Sequence, residues 1–193
     1  VIEPGTVIND IFHHMDWIPT FMAALGEDDI VGKLKKGYKA NDKTFKVHLD
    51  GYNQLPLLKG EGPGSRTEIH YISDDGDYCA FRYNKWKISF LTQSATGIDV
   101  WDKAYTVHRF PIIADLRADP FERAYGRTDA AGMTSASFNY DNWHFRRGYL
   151  LVPAQVYVGK FLESFKEFPP RSKPASFSVG DALSHLESAS QGK

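Results

Sequence analysis

The sequence is poor in the residues that mark disulfide-rich, nucleic-acid-binding or membrane-spanning chains. It has 193 residues and one cysteine, Cys79, so an internal disulfide is impossible. The 23 basic and 24 acidic side chains nearly balance, which favours neither nucleic acid nor an acidic membrane surface as a partner. No apolar run approaches the roughly 18 residues of a membrane span. We therefore expect a globular protein of one domain, or of one domain with an appendage.

The sequence patterns of common enzyme classes are also missing. It contains no G-x-S-x-G nucleophile elbow, no phosphate-binding Walker loop and no dinucleotide fingerprint. The seven histidines do not show metalloprotease spacing, and a single cysteine cannot supply a zinc-binding pair. Cys79 falls in a predicted strand, where a structural thiol is more common than a catalytic thiolate. The residues themselves predict a fold without a catalytic or metal-binding constellation.

One cluster of carboxylates, SDDGDY at residues 73–78, has two interpretations. Three aspartates around a glycine are typical of a site for a hard cation, but an EF-hand loop needs alternating ligands and a glutamate at its twelfth position. Counted from Asp74, the twelfth residue is Lys85. Asp and Gly also favour turns. We predict the tip of a hairpin, with a weak surface cation as the alternative.

The hydrophobic pattern predicts an α+β fold. Ile18, Met22 and Leu25 recur at helical spacing after Asp16, which is a plausible N-cap. Residues 31–66 read as loop-rich. Four β-rich runs separated by turn residues then predict a small antiparallel sheet of about four strands: TEIHYIS, YCAFRY, KWKISFL and FPIIADL. The last third reads as helical, in the runs NWHFRRGYLL, AQVYVGKFLESFKEF and VGDALSHLESA.

Five segments, in order along the chain, resemble the C-terminal part of type I sulfatases, a family of the alkaline-phosphatase-like superfamily. The first is VIEPGTVINDIFHHMDWIPTFMAALGE, in which a Pro-Gly turn precedes a D-x-x-P-T helix start. The other four are KVHLDGYNQLPLLKG, SRTEIHYISDDGDYCAFRYNKWKISF, ADLRADPFERA and LLVPAQVYVGKFLESFKEFPPRSKPASFSV. Each segment alone is a weak signal, but their shared order is more specific.

The resemblance implies a division of the chain into two parts. Residues 1–65 resemble the end of the large α/β catalytic domain, and residues 66–193 resemble the C-terminal antiparallel-sheet subdomain with its terminal helices. Family members hydrolyse sulfate esters with a formylglycine nucleophile and a calcium ion. The motifs for both are absent from this sequence, so no catalytic or metal-binding residue is assigned in it. The resemblance places calcium and formylglycine in an N-terminal part outside this sequence.

We therefore expect the C-terminal portion of an arylsulfatase-like hydrolase, which completes the fold, helps to wall the substrate cleft and is inactive alone. Its partner would be the N-terminal sulfatase chain or domain, and sulfate esters would bind only in the assembled enzyme. His48, Asn53 and Trp101 are candidate neighbours of the cleft, although packing and turn formation also account for them. The family resemblance favours a periplasmic or secreted protein.

Two rival interpretations remain open at this stage. The first is a stand-alone binding or interaction module derived from the sulfatase subdomain. The second is a carbohydrate-binding surface that contains Trp86, Trp101 and neighbouring tyrosines. Exposed apolar surface on the first predicted helix distinguishes the sulfatase portion from the stand-alone module. A helix that packs on a missing partner leaves a bare patch, whereas a self-sufficient module buries that helix.

Overall fold

Short elements make up the N-terminal region of the computed structural model, which describes residues 2–125 and 138–170. A 3-10 turn at His14–Asp16 leads directly into the first helix. The elements of this region are α1 (Trp17–Ala24), α2 (Ile30–Lys36), β1 (Tyr38–Ala40), β2 (Lys43–Phe45) and α3 (Leu55–Leu58). Residues 31–66 are loop-rich, as predicted, but the prediction missed α2, the β1–β2 hairpin and α3. Asp29 caps α2 by accepting a hydrogen bond from the Gly32 N–H at 3.2 Å.

Helix α1 confirms the helix expected from the spacing of its apolar residues. Pro19 lies in the first turn, where its missing N–H leaves no helical hydrogen bond unmade, and the helix ends before Gly26. Asp16 occupies the N-cap position of α1, as predicted, but its side chain makes no capping hydrogen bond to α1. The carboxylate instead caps the preceding 3-10 turn, by accepting from the His13 N–H, and pairs with Arg66.

A four-stranded antiparallel sheet confirms both the predicted fold class and the four predicted strands. The strands lie side by side in chain order: β3 (Glu68–Ile72), β4 (Tyr78–Tyr83), β5 (Trp86–Thr92) and β6 (Thr106–Asp115). Ile88 of β5 is paired with Phe81 on one side and with Ile113 on the other, so these three buried side chains form one row across the sheet.

The SDDGDY sequence forms the turn between β3 and β4, as predicted. The Ser73 N–H donates to the Asp77 carbonyl at 2.9 Å, and the Asp77 N–H donates to the Ser73 hydroxyl at 3.0 Å. Gly76 has φ of +87°, in the left-handed region that favours glycine. The glycine between the aspartates is thus required by the turn itself.

Two helices, α4 (Phe138–Phe145) and α5 (Leu151–Glu167), follow the sheet, joined by a 3-10 turn at Gly148–Leu150. The core joins α5 to the sheet through four almost fully buried residues, Phe81, Ile88, Ile113 and Ala154. None of the helices in the described ranges is both long and apolar enough to cross a membrane. The helix expected in VGDALSHLESA lies outside the described residues.

His70 connects strand β3 to helix α5. Its ring stacks on Phe161 with a centroid distance of 4.0 Å, and its Nδ1 lies 2.6 Å from the Tyr78 hydroxyl. Burial lowers the pKa of His70 below its ordinary value of 6.5, although the nearby charges of Glu68 and Asp50 act in the opposite direction. The neutral imidazole is therefore the form that packs between strand and helix.

Phe81→Ala should destabilise the fold by about 3–5 kcal/mol, because the phenyl ring is 2% exposed and its loss leaves a cavity. Urea unfolding followed by circular dichroism measures the change. Val107→Ala is the matched control, since Val107 is 75% exposed on the same sheet and should change stability by less than about 0.5 kcal/mol. Equal effects of the two substitutions would contradict the assigned core.

His70→Phe should reduce the dependence of stability on pH between about pH 7.5 and 5.5. In the unfolded chain His70 takes up a proton near pH 6.5, whereas its lowered pKa keeps it neutral in the fold. Its stabilising contribution is therefore complete above pH 6.5 and is lost as the pH falls below that value. Urea unfolding at several pH values gives the slope, with His14→Phe as the exposed control. An unchanged slope in His70→Phe would contradict the packing described for His70.

Candidate functional site

A buried ion pair joins the start of α1 to the start of the sheet. The Arg66 guanidinium donates from Nε to Asp16 Oδ2 at 2.9 Å and from Nη2 to Asp16 Oδ1 at 2.6 Å. The side chains of Arg66 and Asp16 are 2% and 0% exposed. This bidentate geometry is the strongest form of an arginine–carboxylate contact.

Backbone groups satisfy the remaining polar atoms of the pair. Arg66 also donates to the carbonyls of Asp50 and Glu68, at 2.7 and 3.1 Å. Asp16 accepts from the backbone N–H groups of Tyr52 and His13, at 2.8 and 2.9 Å. Within the described ranges no buried side-chain nitrogen or oxygen lacks a partner. Burial opposes ionisation of Asp16, but the hydrogen bonds from Arg66 and the two backbone groups outweigh it and lower the pKa of Asp16.

Thr20 and Gln54 extend this network from α1 to the loop before the sheet. The Thr20 hydroxyl donates to the Asp16 carbonyl at 2.6 Å and accepts from the Gln54 N–H at 3.0 Å. Gln54 Oε1 in turn accepts from the Ser65 N–H at 2.9 Å. The network spans the predicted boundary between residues 65 and 66, and the division into two domains at that boundary stays a prediction.

Gly51 is where the loop passes closest to α1. A Cβ atom at this position would lie 2.1 Å from the Met15 carbonyl oxygen and 3.0 Å from Pro19 Cγ. Only glycine leaves room for the loop to lie against the helix start. This contact brings the Tyr52 N–H within reach of Asp16.

The ion-pair network turns the small residues of α1 inward and its large apolar residues outward. Pro19, Thr20 and Ala23 are the buried residues of the helix. Four large side chains are exposed by between 39% and 82%: Trp17, Ile18, Phe21 and Leu25. We call these four residues the α1 apolar face. Trp17 and Phe21 stack on each other with a centroid distance of 5.1 Å, so these two rings form one continuous part of the face.

Two of the three predicted cleft residues share one cleft. His48 and Asn53 line a cleft of about 840 Å³ beside α1, α2, β3 and α5. His48 Nε2 lies 3.7 Å from an Asp50 carboxylate oxygen, and Asn53 Oδ1 accepts from the Leu55 N–H at 2.9 Å, at the start of α3. Trp101 is not among the lining residues; it ends the 3-10 segment Gly97–Trp101 and is 76% exposed. Whether any of these residues contacts a substrate stays a prediction.

Sequence reasoning missed the Tyr52–Glu68 contact in the same cleft. The Tyr52 hydroxyl donates to the Glu68 carboxylate, and the Tyr52 ring lies 4.6 Å from the Arg66 guanidinium carbon. Burial and the adjacent Glu68 raise the pKa of Tyr52 to about 12, so it remains a neutral donor. Tyrosine and arginine side chains are chemically suited to a cation–π contact, but nothing in the sequence indicates that Tyr52 and Arg66 meet.

The described residues do not fit the calcium cage or the nucleophile that the family resemblance implies. Within the described part of the chain, no group of three or more His, Cys, Asp or Glu side chains is arranged to hold a metal ion. The partly buried Cys79 thiol lies 3.5 Å from the Asp77 carbonyl oxygen, and burial raises its pKa. A raised pKa disfavours the thiolate, which is the reactive form.

The two tryptophans of the carbohydrate-binding alternative occupy different surroundings. Trp86 is the first residue of β5 and packs against Trp143 at a centroid distance of 6.1 Å. Trp101 lies in the loop that follows the last residue of β5. No ring contact joins the two tryptophans within the described ranges, so they do not form one stacked platform.

Asp16→Asn should destabilise the fold by about 3–5 kcal/mol, because it leaves the buried Arg66 charge without its counter-ion. It should also flatten the loss of stability in acid. The lowered pKa makes the Asp16 contribution complete above the ordinary value of 3.8 and lost as the pH falls below it. Urea titrations between pH 2.5 and 7 measure both effects. Asp102→Asn is the exposed control; a similar result for both substitutions would contradict the role of the pair.

Comparison with known proteins gives two curated relatives of the sequence. No protein-family model matches the chain. An ulvan-active sulfatase of Formosa agariphila is 30% identical over an alignment of 146 residues, which covers 64% of this chain and 26% of that protein. Human arylsulfatase A is 27% identical over an alignment of 144 residues, which covers 69% of this chain and 25% of that protein. The chain thus spans about a quarter of the length of these relatives.

Among solved structures, the PsFucS1 sulfatase of Pseudoalteromonas sp. aligns with 79% of this chain and 26% of its own chain. The identity is 19% and the TM-score is 0.44. The two curated relatives carry the assignment, because both are sulfatases and each covers about two thirds of this chain. The chain is a homologue of the sulfatases and corresponds to the C-terminal part of such a protein.

Proposed function

We propose that this chain is the C-terminal portion of an arylsulfatase-like sulfuric-ester hydrolase. In this role it completes the fold of the enzyme and helps to wall the substrate cleft. The observation that carries the proposal is the α1 apolar face. Trp17, Ile18, Phe21 and Leu25 lie together on the outside of a helix whose inner side is held by the buried Asp16–Arg66 pair.

An apolar face of this kind is costly to leave in water. A contiguous exposed patch that contains a tryptophan and a phenylalanine is typical of an interaction surface. The ion-pair network prevents α1 from rotating to bury these residues within the chain, because rotation would break the hydrogen bonds of Asp16 and Thr20. About three quarters of each sulfatase relative has no counterpart in this chain. The occupant that we propose for the face is that N-terminal sulfatase portion.

The cleft beside α1 fits a role in walling a substrate site. Its lining includes Met15, just before α1, and Pro19 on the inner side of α1, so the network that directs the α1 apolar face outward also shapes one wall of this cleft. Lys35 and Lys160 supply ammonium groups that attract a sulfate ester, and His48 and Asn53 supply a ring N–H and an amide. We propose that His48 and Asn53 face substrate in the assembled enzyme. Trp101 lies on a separate loop and would contact the substrate only from there.

The proposal places the chemistry outside this chain. Sulfate-ester hydrolysis needs a nucleophile and cations that offset charge on the sulfuryl oxygens. The residues described here fit neither a calcium cage nor an activated thiol. Calcium and formylglycine would belong to the N-terminal portion, and this chain alone would not turn over substrate.

Replacing Phe21 by Glu separates the proposal from the stand-alone module. In the isolated 193-residue chain the variant should keep the parent stability within about 0.5 kcal/mol, because Phe21 is 57% exposed. It should also bind less of an apolar fluorescent dye. In the longer protein or complex that carries this region, the same substitution should destabilise the assembly by about 1–3 kcal/mol, because a charge would enter an apolar interface. Dye fluorescence, urea unfolding and calcium-supplemented p-nitrophenyl sulfate turnover provide the measurements.

Ile98→Glu is the matched control, since Ile98 is 83% exposed but lies outside the α1 apolar face. It should leave dye binding and assembly unchanged. Sulfate-ester turnover by material whose intact mass under denaturing conditions is only 21.8 kDa would overturn the proposed inactivity. Loss of folding in the isolated Phe21→Glu variant would instead favour the stand-alone module, because it would mean that α1 is buried within the module.

A further inference from the structure

A second cleft, of about 660 Å³, gathers cationic side chains around the β4–β5 turn. Arg82 comes from the end of β4, Lys85 from the turn and Arg117 from the segment after β6. Residues Asn9 and Asp10 of the N-terminal segment also line it. None of the roles assigned above uses these three cations as a group. The cleft therefore needs its own explanation.

Backbone hydrogen bonds hold the turn on both sides. The Asn84 N–H donates to the Thr67 carbonyl at 2.7 Å, and the Leu116 N–H donates to the Lys85 carbonyl at 2.7 Å. Arg82 Nε donates to the Asn84 carbonyl, also at 2.7 Å. The base of the Arg82 guanidinium is thereby fixed, while its two terminal nitrogens have no hydrogen bond to the described residues. A binding group held in this way loses little conformational entropy when a ligand arrives.

The charges of the cleft are only partly neutralised. Lys85 lies 2.8 Å from the Asp115 carboxylate and 4.7 Å from the centre of the Trp86 ring. Neither Arg82 nor Arg117 has a carboxylate partner within the described ranges. Among the described residues that line the cleft, Asp10 has the one carboxylate, and this group accepts a hydrogen bond from the Gly64 N–H at 3.3 Å. The two arginines therefore leave a positive field in a concave site, although the whole chain has a formal net charge of −1.

The rest of the lining is suited to a hydroxyl-rich ligand. The amides of Asn9 and Asn84 offer donors and acceptors. The half-buried rings of Tyr83 and Trp86, which also pack against Tyr157 and Trp143, supply part of the apolar lining. Arginine recognises planar or tetrahedral oxyanions by paired N–H donors. An acidic sugar combines these features, since it has an oxyanion, hydroxyl groups and apolar C–H faces.

We propose that this cleft binds an acidic saccharide, with its sulfate group at Arg82 and Arg117. The anionic character of the ligand rests on the cleft alone, whereas the choice of a sulfated saccharide rests on the proposed function. Arg82 and Arg117 hold the sulfate, Lys85 adds charge, and the amides and rings contact the sugar. The cleft binds the substrate polymer or a neighbouring unit of it and takes no part in bond breaking.

The test uses the full 193-residue chain and a fluorescein-labelled dextran sulfate oligomer, with unsulfated dextran of the same length as the neutral probe. Fluorescence anisotropy at 150 mM NaCl should show binding of the sulfated oligomer alone. Arg117→Gln should weaken this binding about tenfold by removing a charge-assisted contact, and Arg117→Lys should recover part of the loss. Arg109→Gln is the matched control, because it removes the same charge from an exposed position on β6 and should change binding less than about twofold.

Three results would overturn the inference. Equal weakening by Arg117→Gln and Arg109→Gln would mean that the polyanion binds to diffuse charge. Absence of binding to the sulfated oligomer by the folded parent chain would mean that the cleft is not a saccharide site. Displacement of the oligomer by inorganic sulfate at an equal concentration of sulfate groups would identify a free-anion site. Circular dichroism establishes that the variants fold. These results leave the dye and assembly measurements on Phe21→Glu unaffected, so failure here is distinguishable from failure of the proposed function.

Discussion

The buried Asp16–Arg66 ion pair is the constraint on which the rest of the N-terminal region depends. A charge moved out of water destabilises a fold unless its partners are complete, and here each oxygen of Asp16 accepts more than one hydrogen bond. The pair fixes the start of α1 and the start of β3 relative to each other. The loop that connects these two elements has to lie against the start of α1, and Gly51 makes this close approach possible. The outward direction of the α1 apolar face is a consequence of this inner network.

The fold illustrates which parts of a structure local sequence patterns can predict. The four strands and the tip at Gly76 follow from alternation and turn chemistry within short windows, and both were predictable. Helix α2 and the β1–β2 hairpin were not, because lysine and glycine dominate that stretch and its elements have only seven and three residues. Such short elements depend on their packing more than on their own propensity.

The site residues were predictable only in part, for a different reason. An aspartate before an apolar helical stripe has the same local signature whether it caps the helix or pairs with a distant cation. The choice at Asp16 is made by Arg66, which is 50 residues away in sequence. His48 and Asn53 could be selected as unusual polar residues near a glycine turn. Their meeting in one cleft, and the absence of Trp101 from it, depend on how loops cross.

The separation of Asp16 and Arg66 has a consequence for synthesis of the chain. Asp16 is synthesised 50 residues before its counter-ion, which corresponds to an interval of roughly 3 to 10 s at ordinary rates of translation. Throughout that interval burial of the aspartate is unfavourable, so the nascent helix has no reason to take its final place. Because Asp16 is buried only once Arg66 is present, α1 reaches its final position, with its apolar side outward, only after the start of the sheet has been synthesised.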